Sequence, residues 1–406
     1  FHYFRAEATV GASLLKSNQV ALTVVPKTTD ADWIVTSSTY CKIQTDGSCT
    51  PINNSTPIQK IYNDTALVQT GDVILVEDGS YSHFEFDRGC HSQAGPMIWV
   101  MARNVNGPVF NPNPVGSSDT IAFKKKVCWT SLVGLKIMGD DRAGVHFVTS
   151  SGNGPFLNHQ FLEVTIDGGW NYYNNTGATA KWGFQSYGLQ GFRYVGGEVK
   201  NVGDQSVGEH AFYMHNPDTD ATGNAVELRD VNSSNVGRTY VQIVNRLLDC
   251  SYSPCSPGTG IVLIEHAVIK NTGLEGNCTG GSSLTFGGRN DYNIIVSNVY
   301  VESGLDPGLS CQGTGEFVTW DGNNVPAENN GPTTIRNSYF IMAPNQGNKG
   351  LSEIGTVDKI TIEKSTFISG KTYSLNAKKS ATVKCFDRDS IITGVNEKRV
   401  TVDGID

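Results

Sequence analysis

Residues suited to acid–base chemistry cluster in the middle of the chain. His210, Tyr213 and His215 lie within six residues, and Arg238 and Arg246 follow them. An imidazole can take up a proton near neutral pH, a phenol can donate one, and a guanidinium can neutralise a carboxylate. β-Elimination on a polymer of uronic acids needs these three steps, so the residue types predict a polysaccharide lyase. In this scheme His210 or His215 is the base, Tyr213 is the acid, and either arginine neutralises the substrate carboxylate.

Side chains that could hold a sugar chain accompany these residues. Aromatic rings offer flat apolar surface to sugar rings, and polar side chains make directional hydrogen bonds with hydroxyls. The candidates for substrate binding are Glu209, Tyr187, Gln185, Tyr240, Gln242, Asn245, Arg289, Trp320 and Asp321. Tyr240 is also an alternative acid to Tyr213. A simpler interpretation is that strand positions facing solvent favour Thr, Tyr and Gln by propensity.

A calcium ion could bind in the segment NPDTDATGN. Asp218 and Asp220 occupy alternate positions there, with Asn216 and Asn224 nearby, and oxygen ligands suit a hard cation. No full calcium-loop signature is present, and a solvated polar turn is the alternative interpretation. We predict that the reaction itself requires no cofactor.

A recurring strand pattern organises the chain that carries these residues. An apolar position, a few polar ones and a second apolar position, often closed by Gly, recur at intervals of roughly 27 to 39 residues. The pattern begins at Leu132, Phe161, Tyr194, Leu228, Ile264, Val296, Ile335 and Ile362. Short strands with period-two alternation favour a stacked β-solenoid, and a large antiparallel sandwich or jelly roll is the alternative fold.

A second, more variable strand follows each repeat. The predicted copies are 143–148, 182–187, 211–215, 240–244, 283–286, 316–320 and 373–376. Residues 225–232, between the third and fourth of these copies, are predicted to form a single strand of the other kind. Successive strand residues point to opposite faces. The predicted inward residues are Val145, Phe147, Phe184, Phe212, Met214, Val241, Ile243, Leu284 and Phe286. The predicted outward residues, which would form a polar and aromatic ladder along one face, are His146, Gln185, Tyr187, Tyr213, His215, Tyr240, Gln242, Ser283 and Thr285.

The stretch GDVILVEDGSY resembles the opening of pectin-lyase-like right-handed parallel β-helix proteins, in which a capping helix precedes GD-x-I-x-L-x-x-G-x-Y. The matching residues are Gly71, Asp72, Ile74, Val76, Gly79 and Tyr81, with Val76 where Leu is commoner. EHAFYMHN, from Glu209, is similar to the EHG-I-Y-x-x-N stretch of secreted β-helix repeat proteins, with Ala211 in place of Gly. The resemblance implies an all-β, right-handed parallel β-helix. It specifies the fold better than the activity, because this superfamily includes lyases, hydrolases, epimerases, phage tailspikes and adhesins.

Two other functions remain open alongside elimination. Hydrolysis needs two carboxylates on either side of one glycosidic bond, and the available carboxylates are those of Glu163, Asp167, Asp204, Glu209 and Asp321. The aspartate-rich signatures of the pectin-hydrolysing relatives are not evident, so hydrolysis ranks below elimination. The other alternative is a non-catalytic glycan-binding spike, adhesin or fibre subunit that uses the same ladder for binding.

We divide the chain into an N-terminal cap or docking arm at residues 1–57, a parallel β-helix at 58–390 and a C-terminal cap or tail at 391–406. Ile58, Ile61 and Leu67 predict one side of a short amphipathic helix at the start of the solenoid. The ends of a solenoid need a cover because they expose unpaired strand edges. An arm that pairs with a second subunit would give a homo-oligomer or filament.

Charge and cysteine content restrict the partners and the compartment. The net charge of −8 and the pI near 5.5 argue against a nucleic-acid partner, and no apolar run is long enough to span a bilayer. The cysteines can be grouped as Cys41 with Cys49, Cys90 with Cys128, Cys250 with Cys255, and Cys278 with Cys311, leaving Cys385 alone. Disulfides predict a secreted, extracellular or cell-surface protein, and reduced buried cysteines are the alternative. The expected partner is a polysaccharide.

Overall fold

The structure is a computed structural model, and most of the regular secondary structure in its described part consists of strands. It describes residues 2–4, 7–10, 13–16, 20–22, 25–88, 96–111, 119–124, 129–139, 141–148, 156–171, 176–177, 180–203, 210–220, 223–245, 259–274, 282–288, 291–303, 316–321, 329–342, 349–353, 356–357, 360–368, 373–376, 383–386 and 391–393. Within these residues, no helix is both long and apolar enough to cross a membrane.

Two long sheets account for most of these strands. The strands of the ten-stranded sheet are Phe84–Phe86, Asp119–Lys124, Ala143–Val148, Trp182–Tyr187, His210–His215, Thr239–Asn245, Ser282–Gly288, Glu316–Asp321, Lys349–Glu353 and Tyr373–Asn376. Each strand of this sheet runs parallel to the next one. Between consecutive strands of this sheet the chain passes through the second, longer sheet.

The longer sheet contains twenty-three strands in the described part of the chain. They are Trp33–Val35, Thr39–Lys42, Ile52–Asn53, Val73–Val76, Gly79–Tyr81, Ile98–Ala102, Pro108–Phe110, Thr130–Val133, Lys136–Met138, Gln160–Asp167, Phe192–Val202, Asn224–Arg229, Asn232–Val236, Thr259–Glu265, Val268–Lys270, Asp291–Ser297, Tyr300–Ser303, Thr333–Arg336, Tyr339–Met342, Ile360–Glu363, Thr366–Ile368, Val383–Phe386 and Ile391–Thr393. From Val73 onward its neighbouring turns pair in parallel. This coil of parallel strands confirms the predicted all-β parallel solenoid and excludes the antiparallel sandwich.

Left-handed residues bend the chain between the paired strands of each turn. The predicted single strand 225–232 is wrong for this reason: it is interrupted at Asp230, which has a φ of 55°. Corresponding bends occur at His266 (φ 56°), Asn298 (φ 55°) and Asn337 (φ 49°). This conformation is costly for most residues and least so for Gly, Asn and Asp. The polar residues that punctuate the repeats therefore set the corners of the solenoid.

Asparagines bridge successive turns at a second line of bends. Asn201 donates to Asp167 Oδ1 (3.0 Å), Asn235 donates to Asn201 Oδ1 (2.9 Å), and Asn271 donates to Asn235 Oδ1 (3.3 Å). The three asparagines have φ values between 53° and 59°. Each side-chain amide thus donates a hydrogen bond to a side-chain oxygen of the preceding turn, and the backbone of each asparagine lies in the left-handed region.

The interior of the solenoid is filled by side chains stacked from turn to turn. The rings of Phe86, Phe123 and Phe147 lie 4.2 Å apart with planes within 6° of parallel, and Met214 and Ile243 continue the same face in later turns. All nine residues predicted to point inward are fully buried. Burial of one such side chain contributes roughly 1.5–3 kcal/mol, so the stack is a principal source of stability.

A short helix, Pro57–Asn63, covers the first described turns. Ile58 and Ile61 are buried as predicted, and Tyr62 packs its ring edge-on against Phe86 at 4.4 Å. Burial raises the pKa of Tyr62, and its hydroxyl hydrogen-bonds with that of Thr130. The strand Trp33–Val35 pairs with Val73–Val76 and extends the long sheet.

The remaining strands form small two-stranded sheets. Their pairs are His2–Phe4 with Val20–Leu22, Glu7–Val10 with Ser13–Lys16, Phe156–Leu157 with Leu189–Gln190, Trp170–Asn171 with Thr176–Gly177, and Asn329–Asn330 with Thr356–Val357. A single turn of 3-10 helix spans Thr28–Asp30. The role of the N-terminal strands as an arm stays a prediction.

A disulfide joins Cys41 to Cys49, as their grouping predicted. The backbone of Cys385 lies in the strand Val383–Phe386. The cysteines at positions 90, 128, 250, 255, 278 and 311 lie outside the described residues. Their pairings stay predictions.

The asparagine bridges give a testable prediction about stability. Asn235→Ala removes two hydrogen bonds of the side-chain amide. It also leaves an alanine in the left-handed region, where its methyl group disfavours the conformation and makes no hydrogen bond. We expect the free energy of unfolding to fall by about 2–4 kcal/mol, measured by chemical denaturation. Asn235→Gly is the matched variant, because it loses the same bonds but tolerates the backbone, and it should lose about half as much. Equal losses in the two variants would contradict the role of the backbone conformation.

Candidate functional site

Five rings, alternately histidine and tyrosine, follow one another along the ten-stranded sheet on the face opposite the core. We call them the ring row: His146, Tyr187, His215, Tyr213 and His210. The distances between neighbouring ring centroids are 6.4, 4.3, 4.4 and 4.9 Å in that order. The second and fourth pairs are stacked, and the third meets edge-on. The row therefore places potential proton acceptors beside potential proton donors.

The register of the parallel ladder positions these rings. Residues in register on neighbouring parallel strands lie about 4.8 Å apart and point to the same face. One such column consists of His146, Gln185, Tyr213, Gln242 and Thr285. Tyr187 and His215 belong to a second column beside it. The prediction that residues distant in sequence become neighbours on one face is confirmed.

Tyr240 does not belong to this face, and its predicted position in the ladder is wrong. It is fully buried, its hydroxyl donates to the carbonyl of Val231 (2.8 Å), and burial raises its pKa far above the usual range. In earlier turns, glycines precede the first inward-pointing residue of the strand. A Cβ on Gly144 or Gly183 would lie within 2.5 Å of core side chains. The strands bend at this corner, so strict alternation fails there.

The polar face is much less exposed than the sequence predicts. The exposed fractions of His146, His210 and His215 are only 4–5%. Tyr187 and Tyr213 are half-buried. Thr285 and Ser283, also predicted to face outward, are buried as well, and the Ser283 hydroxyl hydrogen-bonds with that of Thr272 at 2.9 Å. The open ladder of the prediction is thus replaced by a largely enclosed polar face.

Burial determines the charge state of His210. Desolvation lowers its pKa to about 3, with smaller contributions from the positive charge of Arg238 and from His215. The imidazole of His210 is therefore neutral at pH 7 and is a weak base. Arg238 itself is exposed. Because its charge acts on the pKa of His210, this predicted carboxylate-binding residue lies near the ring row.

A carboxylate and a guanidinium flank the first histidine of the row. Asp119 accepts a hydrogen bond from Arg142 Nε at 2.8 Å and a second one from Arg142 Nη2. Its Oδ2 also lies 3.1 Å from His146 Nδ1. Burial alone would raise the pKa of Asp119, but the hydrogen bonds from Arg142 and His146 outweigh it and lower the pKa. Asp119 is therefore ionised at neutral pH.

Asp119 and Arg142 are functional candidates that the sequence reasoning missed. The segment DTIAFK, residues 119–124, alternates in phase with AGVHFV, residues 143–148, and the two strands pair in the structure. Aligning Ile121 with Val145 places Asp119 opposite Ala143. Strict alternation would then have assigned Asp119 to the core face, so this alignment alone did not indicate its position beside His146. Trp182 was also missed as a site residue, although its ring stacks on Tyr213 at 5.9 Å.

Gln185 and Gln242 supply amides to the same face. Gln185 is buried and its amide donates to the Tyr187 hydroxyl at 3.3 Å. Gln242 is half-buried and is in register with Tyr213. Both residues are thus placed beside the ring row, as the sequence predicts.

The other predicted site residues are described in part or not at all. Glu209, Arg246 and Arg289 lie outside the described residues. The backbone of Asn245 ends its strand opposite Gly288. Trp320 and Asp321 are in register with Phe286 and Gly287, and their side chains are outside the described part. Roles for these residues stay predictions.

The predicted carboxylates for hydrolysis that the structure describes lie on the longer sheet. Glu163 is exposed at a bend with a φ of 53°, and Asp167 accepts a hydrogen bond from Asn201. Glu209 and Asp204 are outside the described residues, and so is the side chain of Asp321. A facing pair of carboxylates is therefore not formed by the described members of this group.

The proposed calcium-binding turn is engaged in hydrogen bonds within the protein. Asp218 accepts from the Thr219 amide (2.8 Å) and from Gln190 Nε2 (3.3 Å), and Asp220 accepts from the Asn224 amide (3.3 Å). Among the side chains that the structure describes, no group of three or more His, Cys, Asp or Glu residues is arranged to hold a metal ion. Calcium binding stays a prediction.

Comparison with known proteins gives one structural similarity. A scan against protein-family models and a search of curated proteins found no match. The fold is similar to the crystal structure of tailspike protein gp49 from Acinetobacter baumannii bacteriophage Fri1, a capsular polysaccharide depolymerase, with 10% sequence identity and a TM-score of 0.36. The match covers 85% of this chain and 61% of the tailspike. At these values the similarity carries no functional inference.

The buried histidines predict a loss of stability in acid. An unfolded histidine binds a proton near pH 6.5, whereas His210 and His159 in the fold do so only near pH 3. Between these values the unfolded state binds more protons. The free energy of unfolding should therefore fall as the pH falls, by up to about 1.4 kcal/mol per pH unit for each group.

His159→Leu tests this contribution, because His159 lies in the core among phenylalanine rings and leucine does not titrate. We expect the variant to lose less stability than the wild type between about pH 6.5 and about pH 4 in urea denaturation. His266→Asn is the control, since His266 is 41% exposed, and it should keep the wild-type slope. Identical slopes for all three proteins would show that His159 is protonated in the folded state.

Proposed function

We propose that this protein cleaves an acidic polysaccharide by β-elimination at the ring row. The observation that carries the proposal is the alternation of imidazole and phenol along the row, with neighbouring centroids 4.3–6.4 Å apart. Elimination requires one group that accepts a proton and one that donates it. The disulfide between Cys41 and Cys49 supports an oxidising, extracellular location for this activity.

The reaction conserves protons overall. An imidazole takes the C5 proton of a uronate, and the electron pair of the broken C–H bond forms the second bond between C4 and C5. The bond between C4 and the glycosidic oxygen then breaks, and a phenol protonates the departing oxygen. The imidazolium finally returns its proton to the phenolate through solvent, which restores both groups.

Among the residues predicted from the sequence to be catalytic, His215 and Tyr213 suit these two roles best. Their rings are 4.4 Å apart. His210 is less suited as the base, because its pKa of about 3 leaves it little affinity for a proton. The exposed guanidinium of Arg238 would neutralise the uronate carboxylate, which makes the C5 proton more acidic.

A second candidate function is glycan binding without catalysis. It is favoured by the different burial of the two ring types, because Tyr187, Tyr213 and Trp182 are half-buried while the three imidazoles are almost fully buried. Half-buried aromatic rings present flat surface to sugars. A binding protein of this kind would act as a spike, adhesin or fibre subunit and would release no product.

An assay on a panel of acidic polymers tests the proposal. Purified protein is incubated with alginate, pectate, chondroitin and bacterial capsules, and product is followed by ultraviolet absorbance of the new C4–C5 double bond. Arg238→Gln should raise KM about tenfold on the polymer that is cleaved, because one charge-assisted contact to the carboxylate is lost. Arg103→Gln is the matched control, since Arg103 is also exposed but pairs with Glu77 at 2.5 Å on the other sheet.

The products distinguish the alternatives. New reducing ends without the double bond would indicate hydrolysis. Retention of a polymer on immobilised protein with no product would indicate the binding function. Equal effects of the two arginine substitutions would contradict the role of Arg238.

A further inference from the structure

The histidine that is best prepared to act as a base is one that the function above does not use. His146 begins the ring row, and its Nδ1 lies 3.1 Å from Oδ2 of Asp119. Its Nε2 has no hydrogen-bond partner among the described residues, although this atom is buried. The ring therefore has one nitrogen engaged by a carboxylate and the other available.

The carboxylate determines which nitrogen carries the proton. Ionised Asp119 only accepts hydrogen bonds, so the neutral imidazole must place its hydrogen on Nδ1. The lone pair is then on Nε2. A carboxylate in this position also stabilises the imidazolium that forms when Nε2 takes up a proton. In the described part of the chain, no such carboxylate shifts the pKa of His210: burial, followed by the positive charge of Arg238 and by His215, lowers it.

Arg142 holds Asp119 in place. Two nitrogens of its guanidinium contact the two carboxylate oxygens, and the Asp119 side chain is 6% exposed. Such a paired contact fixes the orientation of the carboxylate as well as its charge. Because water is largely excluded, the interaction between Asp119 and His146 is stronger than it would be at the surface.

Among the described residues, Glu85 and Tyr187 are two further titratable groups on strands near His146. Glu85 lies two strands away in the same column and contacts Lys124 Nζ at 2.5 Å. Tyr187 faces His146 at a centroid distance of 6.4 Å and is half-buried. Its phenol is thus the nearest acid of the ring row to His146.

We propose that His146, rather than His215, removes the C5 proton in the elimination, and that Asp119 is its positioning residue. This inference rests on the proposed function. The proton passes from C5 to Nε2, the electron pair of the C–H bond forms the C4–C5 double bond, and the glycosidic oxygen leaves with the hydroxyl proton of Tyr187. The imidazolium then returns its proton to the phenolate through solvent.

Kinetics on the cleaved polymer test the catalytic role. His146→Gln should lower kcat at least about 100-fold with KM within about threefold, whereas His215→Gln should lower kcat less than about tenfold. Asp119→Asn should lower kcat at least about tenfold and move the acidic limb of the pH profile of kcat/KM to lower pH. Glu77→Gln breaks an exposed carboxylate–arginine pair elsewhere and is the control. Full activity of His146→Gln would overturn the inference.

Asp119→Asn could also fail to fold, so a second variant and a second measurement accompany it. Arg142→Gln leaves Asp119 and His146 in place and should give a smaller loss of kcat than Asp119→Asn. In NMR spectra of protein labelled with nitrogen-15 at histidine, the resonance missing from His146→Gln identifies His146. We expect it to show the Nδ1–H tautomer, and an Nε2–H tautomer would overturn the inference.

The two measurements separate this inference from the function on which it rests. A wild-type protein that cleaves no polymer overturns the proposed elimination and the role of His146 in it. The tautomer then still decides whether Asp119 orients the ring. A cleaving protein in which His215→Gln is inactive and His146→Gln is active overturns the inference alone.

Discussion

The structure depends on the parallel register between successive turns. In a parallel ladder each residue is opposite one residue of the next turn, and its side chain points to the same face at a spacing of about 4.8 Å. This register produces two columns on opposite faces of the sheet. One is the stack of Phe86, Phe123 and Phe147, and the other consists of His146, Gln185 and Tyr213. Shifting the register by one residue would exchange them, placing imidazoles in the core and phenyl rings outside. The apolar stack therefore fixes the position of the polar face.

The bends at the corners of the solenoid help to keep successive turns in this register. Bends at left-handed residues recur once per turn, at Asp230, His266 and Asn298, and they end one strand and begin the next at a constant point. The amides of Asn201, Asn235 and Asn271 join a second set of bends across turns. Because each turn packs mainly on its neighbours, these local contacts suffice to transmit the register along the chain.

Local sequence pattern predicted the core well and the polar face less well. The nine inward residues, including Phe147, Phe212 and Ile243, followed from period-two alternation and are buried. Alternation failed at Tyr240 because each strand bends where it leaves the corner, so that its second residue points toward the interior. The small residues Gly144 and Gly183 at the corresponding positions of earlier turns were a usable signal, since a side chain there meets the core.

No feature of the sequence indicated that the ring row would be enclosed. Strand propensity and alternation state which face a side chain occupies, but burial of that face depends on what else packs over it. Asp119 escaped prediction for a related reason, because its contact with His146 joins residues 27 positions apart in sequence. Contacts of that kind become visible only when the register between turns is known.

The polar face costs the fold stability that the apolar stack supplies. Burying the imidazole of His210 and burying the carboxylate of Asp119 are each unfavourable unless the groups are compensated. Asp119 is compensated by Arg142 and by His146, whereas His210 avoids the cost by remaining uncharged. A face serving only to stack turns would be more stable with apolar residues. The paired charges of Asp119 and Arg142 and the neutral imidazole of His210 therefore lie on one side of the sheet, and the apolar stack that holds the turns together lies on the other.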